Sequence, residues 1–248
     1  MRFLKPLRRP LCVPLFLSLA FPLLLRWEGQ DTDTYASRRR RMVTEQLASR
    51  DISDRRVLEV MAKVPRHLFV LPAYREQAYE DYPLPIEEGQ TISQPYIVAL
   101  MTQCLGLKGG EKLLEIGTGS GYQAAVLAEI GGQVFSVEIN ERLAARSALT
   151  LRELGYDNVL VKCGDGYRGW PEEAPFDGIM VTCASPEVPP ALVEQIGEGG
   201  CLVIPLGDVQ TYQILTVFTK KDGKLRKRGI SGVRFVPMTG EVQKKKTG

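Results

Sequence analysis

The stretch "LLEIGTGSGYQ", Leu113–Gln123, sets Gly117, Gly119 and Gly121 at alternate positions between an apolar run and an amphipathic one. The preceding "EKLLEI" reads as a buried strand and the following "YQAAVLAEI" as a helix. Backbone amides at such a turn, beside a helix N-terminus, form a polar cradle for a ligand. Glycine suits it because no side chain blocks close approach and a positive φ costs nothing. The plainer alternative is a turn that only lets strand and helix pack.

Outward from this turn the chain alternates. "QVFSVEI" is a strand, "NERLAARSALTLRELG" a helix and "NVLVKC" a strand. "FDGIMVT" is a further strand, "PPALVEQI" a short helix and "GGCLVIPL" another strand. Strands alternating with helices predict an α/β fold with a mostly parallel sheet covered on both faces. After Gly207 helical period is lost, and Lys-Asp-Gly between apolar alternations predicts a C-terminal β-hairpin.

Upstream, "MVTEQLASRDI" has helical spacing, and Ser53-Asp54 can cap a second helix that Pro65 ends. "HLFVLPAYREQAYEDYPLPIEEGQ" is proline- and aromatic-rich, predicting a packed but irregular segment. "GQTISQPYIVALMTQ" then enters a helix, with Thr91 or Ser93 as N-cap and Pro95 in its first turn.

Glu138 ends the second strand 21 residues after Gly117, where a carboxylate can accept from two ribose hydroxyls. The glycine spacing is G-x-G-x-G, not the dinucleotide G-x-G-x-x-G. Glu115 adds an acid that would repel a pyrophosphate but suit an ammonium and a sulfonium. The cofactor implied is S-adenosylmethionine (AdoMet) rather than NAD. "CGDG", Cys163–Gly166, follows the third strand, and Asp165 is placed to accept from an adenine amino group.

The 248 residues carry a net charge of +3, unevenly spread. Residues 1–41 hold nine Lys/Arg against three acids, leaving the rest at −3. A nucleic-acid grip needs a concentrated positive face, so nucleic acid is not an expected partner. Five cysteines, Cys12, Cys104, Cys163, Cys183 and Cys201, show no CxxC spacing. Four lie in or beside apolar runs as small buried hydrophobes, which argues against a disulfide framework. His67 is the sole histidine, so no His-rich metal site is expected, and a triad would have to use it without a nucleophile elbow. Leu11–Leu25 has the length of a signal-peptide core and is short for a membrane span. It reads as an export signal or anchor, or as an extension from a misassigned start. "GQDTDTYASRRRR" reads as a polar linker and "EVQKKKTG" as a frayed basic tail.

The segments "VPRHLFV", "AYEDYPLPIEEGQTISQPYIVALMT", "LLEIGTGSGYQAAVLA", "NVLVKCGDGYRGWPEEAPFDGIMVT" and "VRFVPMT" occur in this order. Together they resemble the protein-L-isoaspartate (D-aspartate) O-methyltransferase family over residues 42 to about 240. The glycine motif alone marks only AdoMet enzymes, whereas "GQTISQP" and "VPRHLFV" are distinctive. The resemblance implies a doubly wound, Rossmann-like AdoMet fold with N-terminal helices and a late antiparallel addition. It implies transfer of the AdoMet methyl to the free α-carboxylate of L-isoaspartyl residues, giving an ester that collapses through a succinimide. Ser93 becomes the active-site residue; Thr91, Gly117, Thr118, Gly119, Gly121, Glu138, Asp165, Gly166 and Thr239 become cofactor residues.

Arg66 is a candidate partner of the substrate carboxylate or a surface salt-bridge residue, and His67 a substrate contact or a packed imidazole. Departures are Cys183-Ala184 in place of the family's Ala-Ala, Cys163 and Tyr167 in the adenine loop, and the long N-terminal extension. The domain plan is therefore an extension over 1–41, a methyltransferase domain over 42–240 and a tail over 241–248. A cytoplasmic monomer acting on isoaspartyl proteins is expected, with membrane contact only if residues 11–25 are retained.

The chemistry suits these residues. An ionised carboxylate is already nucleophilic at neutral pH, its unperturbed pKa being about 4, and methyl transfer from a sulfonium needs alignment and dryness more than a base or metal. A small-molecule or RNA methyltransferase is the rival reading, but "VTCASPEVPP" lacks the Asn/Asp-Pro-Pro-Tyr/Phe clamp of amino-methylating enzymes. A non-catalytic AdoMet-binding module is the other, and Ser93 with the glycine set argues against it.

Overall fold

The computed structural model describes residues 33–208 and 212–244. Two helices lead in: α1 (Asp33–Met42), continuing through a wider turn over Val43–Ala48, and α2 (Arg55–Lys63). Asp54 caps α2, accepting from the Arg56 amide at 2.9 Å. Residues 66–90 form short 3₁₀ turns and a strand, β1 (Leu84–Pro85), paired antiparallel with β2 (Thr91–Ile92). Next come α3 (Pro95–Leu105), β3 (Lys112–Ile116), α4 (Tyr122–Ile130), β4 (Gln133–Glu138), α5 (Glu141–Glu153) and β5 (Val159–Cys163). The chain continues through β6 (Phe176–Val181), α6 (Pro190–Gln195), β7 (Ile196–Gly207), β8 (Gln213–Lys221), β9 (Lys224–Val233) and α7 (Glu241–Lys244).

Seven strands form one sheet in the order β5-β4-β3-β6-β7-β8-β9. The first five run parallel, and β8 and β9 add antiparallel as the expected hairpin. Alternate residues of each central strand face opposite layers, so Leu113 and Val134 join one core cluster while Leu114, Ile116, Phe135 and Val137 join the other. That is why these strands read as continuous apolar runs. Strand order reverses beside β3: the chain steps outward to β4 and β5, then returns to β6 on the other flank. A crevice opens beyond the carboxyl ends of β3, β4 and β6 at such a reversal.

Three expectations are corrected. The polar segment read as a linker is helical from Asp33, and it docks through Tyr35 and Arg39. Arg39 donates to the Ala62 carbonyl at 2.7 Å and to the Tyr79 hydroxyl at 3.1 Å, while Tyr35 stacks on His67 with ring centroids 4.2 Å apart. A boundary at residue 42 thus cuts through a docked helix. The tail likewise begins as an ordered turn, with Val242 buried in the second cluster. Of the cysteines, Cys163 is exposed and Cys104, Cys183 and Cys201 are half-buried. The segment Leu11–Leu25, with Cys12, lies outside the described residues, among which no helix is long and apolar enough to cross a membrane.

Neither Thr91 nor Ser93 caps α3. Its N-cap is Gln94, which makes no capping bond through its side chain, while Pro95 occupies the first turn as expected. The orphan amide of Tyr96 is met instead by Asp81, at 3.3 Å from fifteen residues upstream.

Candidate active site

The crevice holds a cavity of about 230 Å³. Its walls are the glycine turn (Gly117, Gly119), the end of β4 with Glu138 to Asn140, Gly166, Thr182-Cys183, and a roof of Gln90-Thr91 and Val236 to Thr239. A smaller cavity of about 50 Å³ adjoins it, lined by Thr91, Ser93, Thr118, Ser120, Gln123 and Thr182 among others. Thr91, Gly117, Gly119 and Thr182 line both cavities and so form their common wall.

The glycine turn is dictated by its backbone. Gly117 has φ +96°, and a Cβ there would sit 2.4 Å from Thr182 Oγ1. That hydroxyl lies 2.9 Å from the Ile116 carbonyl and 2.7 Å from that of Gly117, donating across the gap between β3 and β6. Gly121, at φ +86°, begins α4 but lines neither cavity. Its contribution is conformational.

Glu138 accepts from the Gly119 amide at 2.9 Å and from the Asn140 amide at 3.0 Å. One carboxylate thus ties the glycine turn to the start of α5 at the cavity wall. Thr239 and Gly166 line the same cavity, and Gly166 must be glycine because a Cβ would lie 2.3 Å from Ile116 Cγ2. Ser93 lines the smaller cavity, and its hydroxyl bonds to none of the described residues. Thr118 lines that cavity too but is buried, 2.5 Å from the Ser136 hydroxyl.

Three residues, Asp165, Glu115 and Arg66, are not where the sequence suggests, while His67 takes the packed one of its two readings. Asp165 lines neither cavity: its carboxylate accepts from the Tyr167 amide at 2.9 Å and the Glu241 amide at 2.8 Å, fastening α7 to the loop after β5. Glu115 lies beneath the turn, fully buried, with Ser136 donating to one oxygen and no partner on the other among the described residues. Burial, outweighing the Ser136 bond, pushes its carboxyl up to about 8, and neighbouring Glu138 adds to the rise. Arg66 is fully buried, donating to the Ala78 carbonyl and the Ser93 carbonyl, each at 2.7 Å. It is neither a surface residue nor a lining one. His67 is packed under Tyr35, with Nδ1 2.7 Å from the Tyr79 hydroxyl.

Sequence reasoning missed Thr182, Asn140, Gln90, Ile139 and Val236, all of which line the main cavity. Thr182 follows β6 as directly as Glu138 ends β4, so its strand-end position was a usable signal. Ile139 and Val236 carried none.

These residues fit AdoMet. Bare glycine backbone offers close approach, Glu138 offers acceptor oxygens, and Ile116, Val137, Ile139 and Met238 offer apolar faces for a nucleoside. A reversed α/β sheet with this glycine turn and strand-end acid defines an AdoMet-dependent methyltransferase. The family model for protein-L-isoaspartate(D-aspartate) O-methyltransferase matches residues 37–243, and the chain belongs to that family. Protein-L-isoaspartate O-methyltransferase 2 of Shewanella sediminis is 55% identical over 214 residues, covering 86% of this chain and 88% of that one. Protein-L-isoaspartate O-methyltransferase 1 of Syntrophobacter fumaroxidans is 57% identical, covering 82% and 94%. A solved protein-L-isoaspartate O-methyltransferase superposes with TM-score 0.75 at 34% identity, covering 82% of this chain and 67% of its own. A Plasmodium falciparum chain assigned to the same activity, solved with S-adenosyl-L-homocysteine, gives 0.70 at 28%, covering 81% and 98%. The chain is therefore a protein-repair methyltransferase that uses AdoMet.

Proposed function

We propose that this chain methylates the free α-carboxylate of L-isoaspartyl residues in damaged proteins and peptides, with the cofactor in the larger cavity and the isoaspartyl carboxylate reaching it past Ser93. The observation that carries this reading is the shared wall of Thr91, Gly117, Gly119 and Thr182 between a cavity with Glu138 and one with Ser93. Bound there, AdoMet supplies an electrophilic methyl group on a sulfonium. Glu138, the glycine turn, Thr91, Gly166 and Thr239 hold and orient it.

Among the described residues, no lysine or arginine lines either cavity. A cation there would pair with the substrate carboxylate and blunt it as a nucleophile. Neutral hydroxyls of Ser93 and Thr91 orient it while leaving its charge available for the reaction. No proton needs to move at the reacting oxygen, since that carboxylate is ionised well below neutral pH. The segment 84–93 covers the site and is tied to α5 by Glu87–Arg146 at 2.7 Å and Glu88–Arg142 at 3.3 Å. Exclusion of water by this strap favours a displacement governed by alignment.

The expected partners are isoaspartyl proteins and not nucleic acid, and the chain is read as a cytoplasmic monomer. Contact with a membrane depends on Leu11–Leu25. The purified full chain with AdoMet should form base-labile methyl esters on an isoaspartyl peptide, and equal labelling of the matching aspartyl peptide refutes the substrate assignment. Ser93→Ala should lower kcat at least tenfold (about 1.4 kcal/mol) with AdoMet affinity within several-fold; unchanged turnover removes Ser93 from the reaction.

A further inference from the structure

We infer that Arg66 is a positioning residue for methyl transfer, acting through Ser93 by clamping its carbonyl from inside the core. The inference rests on the reading of Ser93 given above.

The turn Ser93-Gln94 lies between β2 and α3, with no side-chain cap of its own. Two anchors fix it. Asp81 meets the Tyr96 amide at 3.3 Å and the Gln94 side-chain amide at 3.4 Å. Arg66 Nη2 meets the Ser93 carbonyl at 2.7 Å while Nε holds the Ala78 carbonyl at 2.7 Å. The guanidinium lies 4.8 Å above the ring of Tyr122, the residue that opens α4 and lines the Ser93 cavity. A single planar cation thus locks together the Ala78 loop, the Ser93 turn and the start of α4. With its carbonyl held inward, Ser93 keeps one backbone orientation and presents a hydroxyl free of described partners to the cavity.

The chemistry of the clamp separates it from ordinary packing. Arg66 is fully buried, no carboxylate bonds to it, and Nη1 has no partner among the described residues. Burial pulls its pKa down to about 10, partly offset by Tyr122, Tyr79 and Asp81, so it remains charged at neutral pH. An unpaired buried cation is expensive, and an apolar side chain of similar volume fills such a site at lower cost. What an apolar residue cannot do is donate to two carbonyls from separate segments. Lysine keeps the charge but not the fork or the flat contact with a ring.

A double-mutant cycle with full-length protein and an isoaspartyl peptide tests this. Arg66→Lys should lower kcat about tenfold with AdoMet affinity within twofold. In the Ser93→Ala background the same change should lower kcat less than twofold, while the shift in Tm stays equal in both backgrounds. Should Arg66→Lys not fold, Arg66→Met, of similar volume, is put through the same cycle. An equal loss of kcat in both backgrounds, or no loss at temperatures well below Tm, overturns the inference while leaving Ser93 in place. Unchanged kcat in Ser93→Ala alone removes the Ser93 assignment and this inference with it.

Discussion

Gly117→Ala would test whether the wall between the two cavities is built as described. At φ +96° an L-residue is strained by about 1–3 kcal/mol. The new Cβ also lies 2.4 Å from Thr182 Oγ1, roughly 1 Å inside normal contact. Relief requires that hydroxyl to leave the Ile116 and Gly117 carbonyls, at 2.9 and 2.7 Å, at about 1 kcal/mol. The expected total is about 2–4 kcal/mol in urea unfolding. In a Thr182→Ala background the clash is gone, because the next Thr182 atom, Cβ, lies 3.7 Å away. Only the backbone strain then remains, so the cost of Gly117→Ala should fall by about 1 kcal/mol. AdoMet affinity, read by titration calorimetry, should drop at least tenfold in both backgrounds, since the methyl stands where the glycine backbone meets ligand. Equal unfolding costs in the two backgrounds refute the Thr182 contact. Unchanged AdoMet affinity refutes the cradle.

Further outcomes are expected elsewhere. Because burial raises Glu115 to about 8 from an unfolded value of 4.5, the folded chain holds a proton that the unfolded chain has released between those values. Stability should therefore fall as pH rises from about 4.5 through 8 and level off above, by an amount on the order of a few kcal/mol. Glu115→Gln should flatten that slope in denaturant titrations run across the window, and an unaltered slope assigns it to other groups. Glu138→Gln leaves one acceptor oxygen for two amides and turns its NH₂ toward the other; AdoMet Kd should rise at least tenfold, about 1.4 kcal/mol, with turnover at saturating cofactor less affected. Asp165→Asn should loosen α7, costing about 1 kcal/mol and exposing the segment after Gly240 to limited proteolysis. Lost AdoMet affinity with unchanged proteolysis would return Asp165 to the cofactor.

The local grammar of the sequence determined the α/β alternation, the bounds of α4, the Asp54 cap and the closing hairpin. Each follows from neighbouring residues: apolar period, a capping oxygen, or a glycine that alone takes a positive φ. The glycine turn and Glu138 were legible for the same reason, because a parallel sheet places strand ends together at one edge. Residue type, however, does not say which way a side chain is turned. Arg66 read as a substrate partner or a surface ion-pair residue, yet Ala78, Ser93 and Tyr122 close around it and make it core. His67 takes the packed one of its two readings, under Tyr35 of α1. Glu115 sits beside the turn in sequence and Asp165 in the loop after β5, but they are engaged by Ser136 and by α7. Thr182, Asp81 and α1 take their roles from partners more than a dozen residues away. Such roles are set where separate segments meet in space, and only the tertiary packing around the β3 reversal brings those segments together.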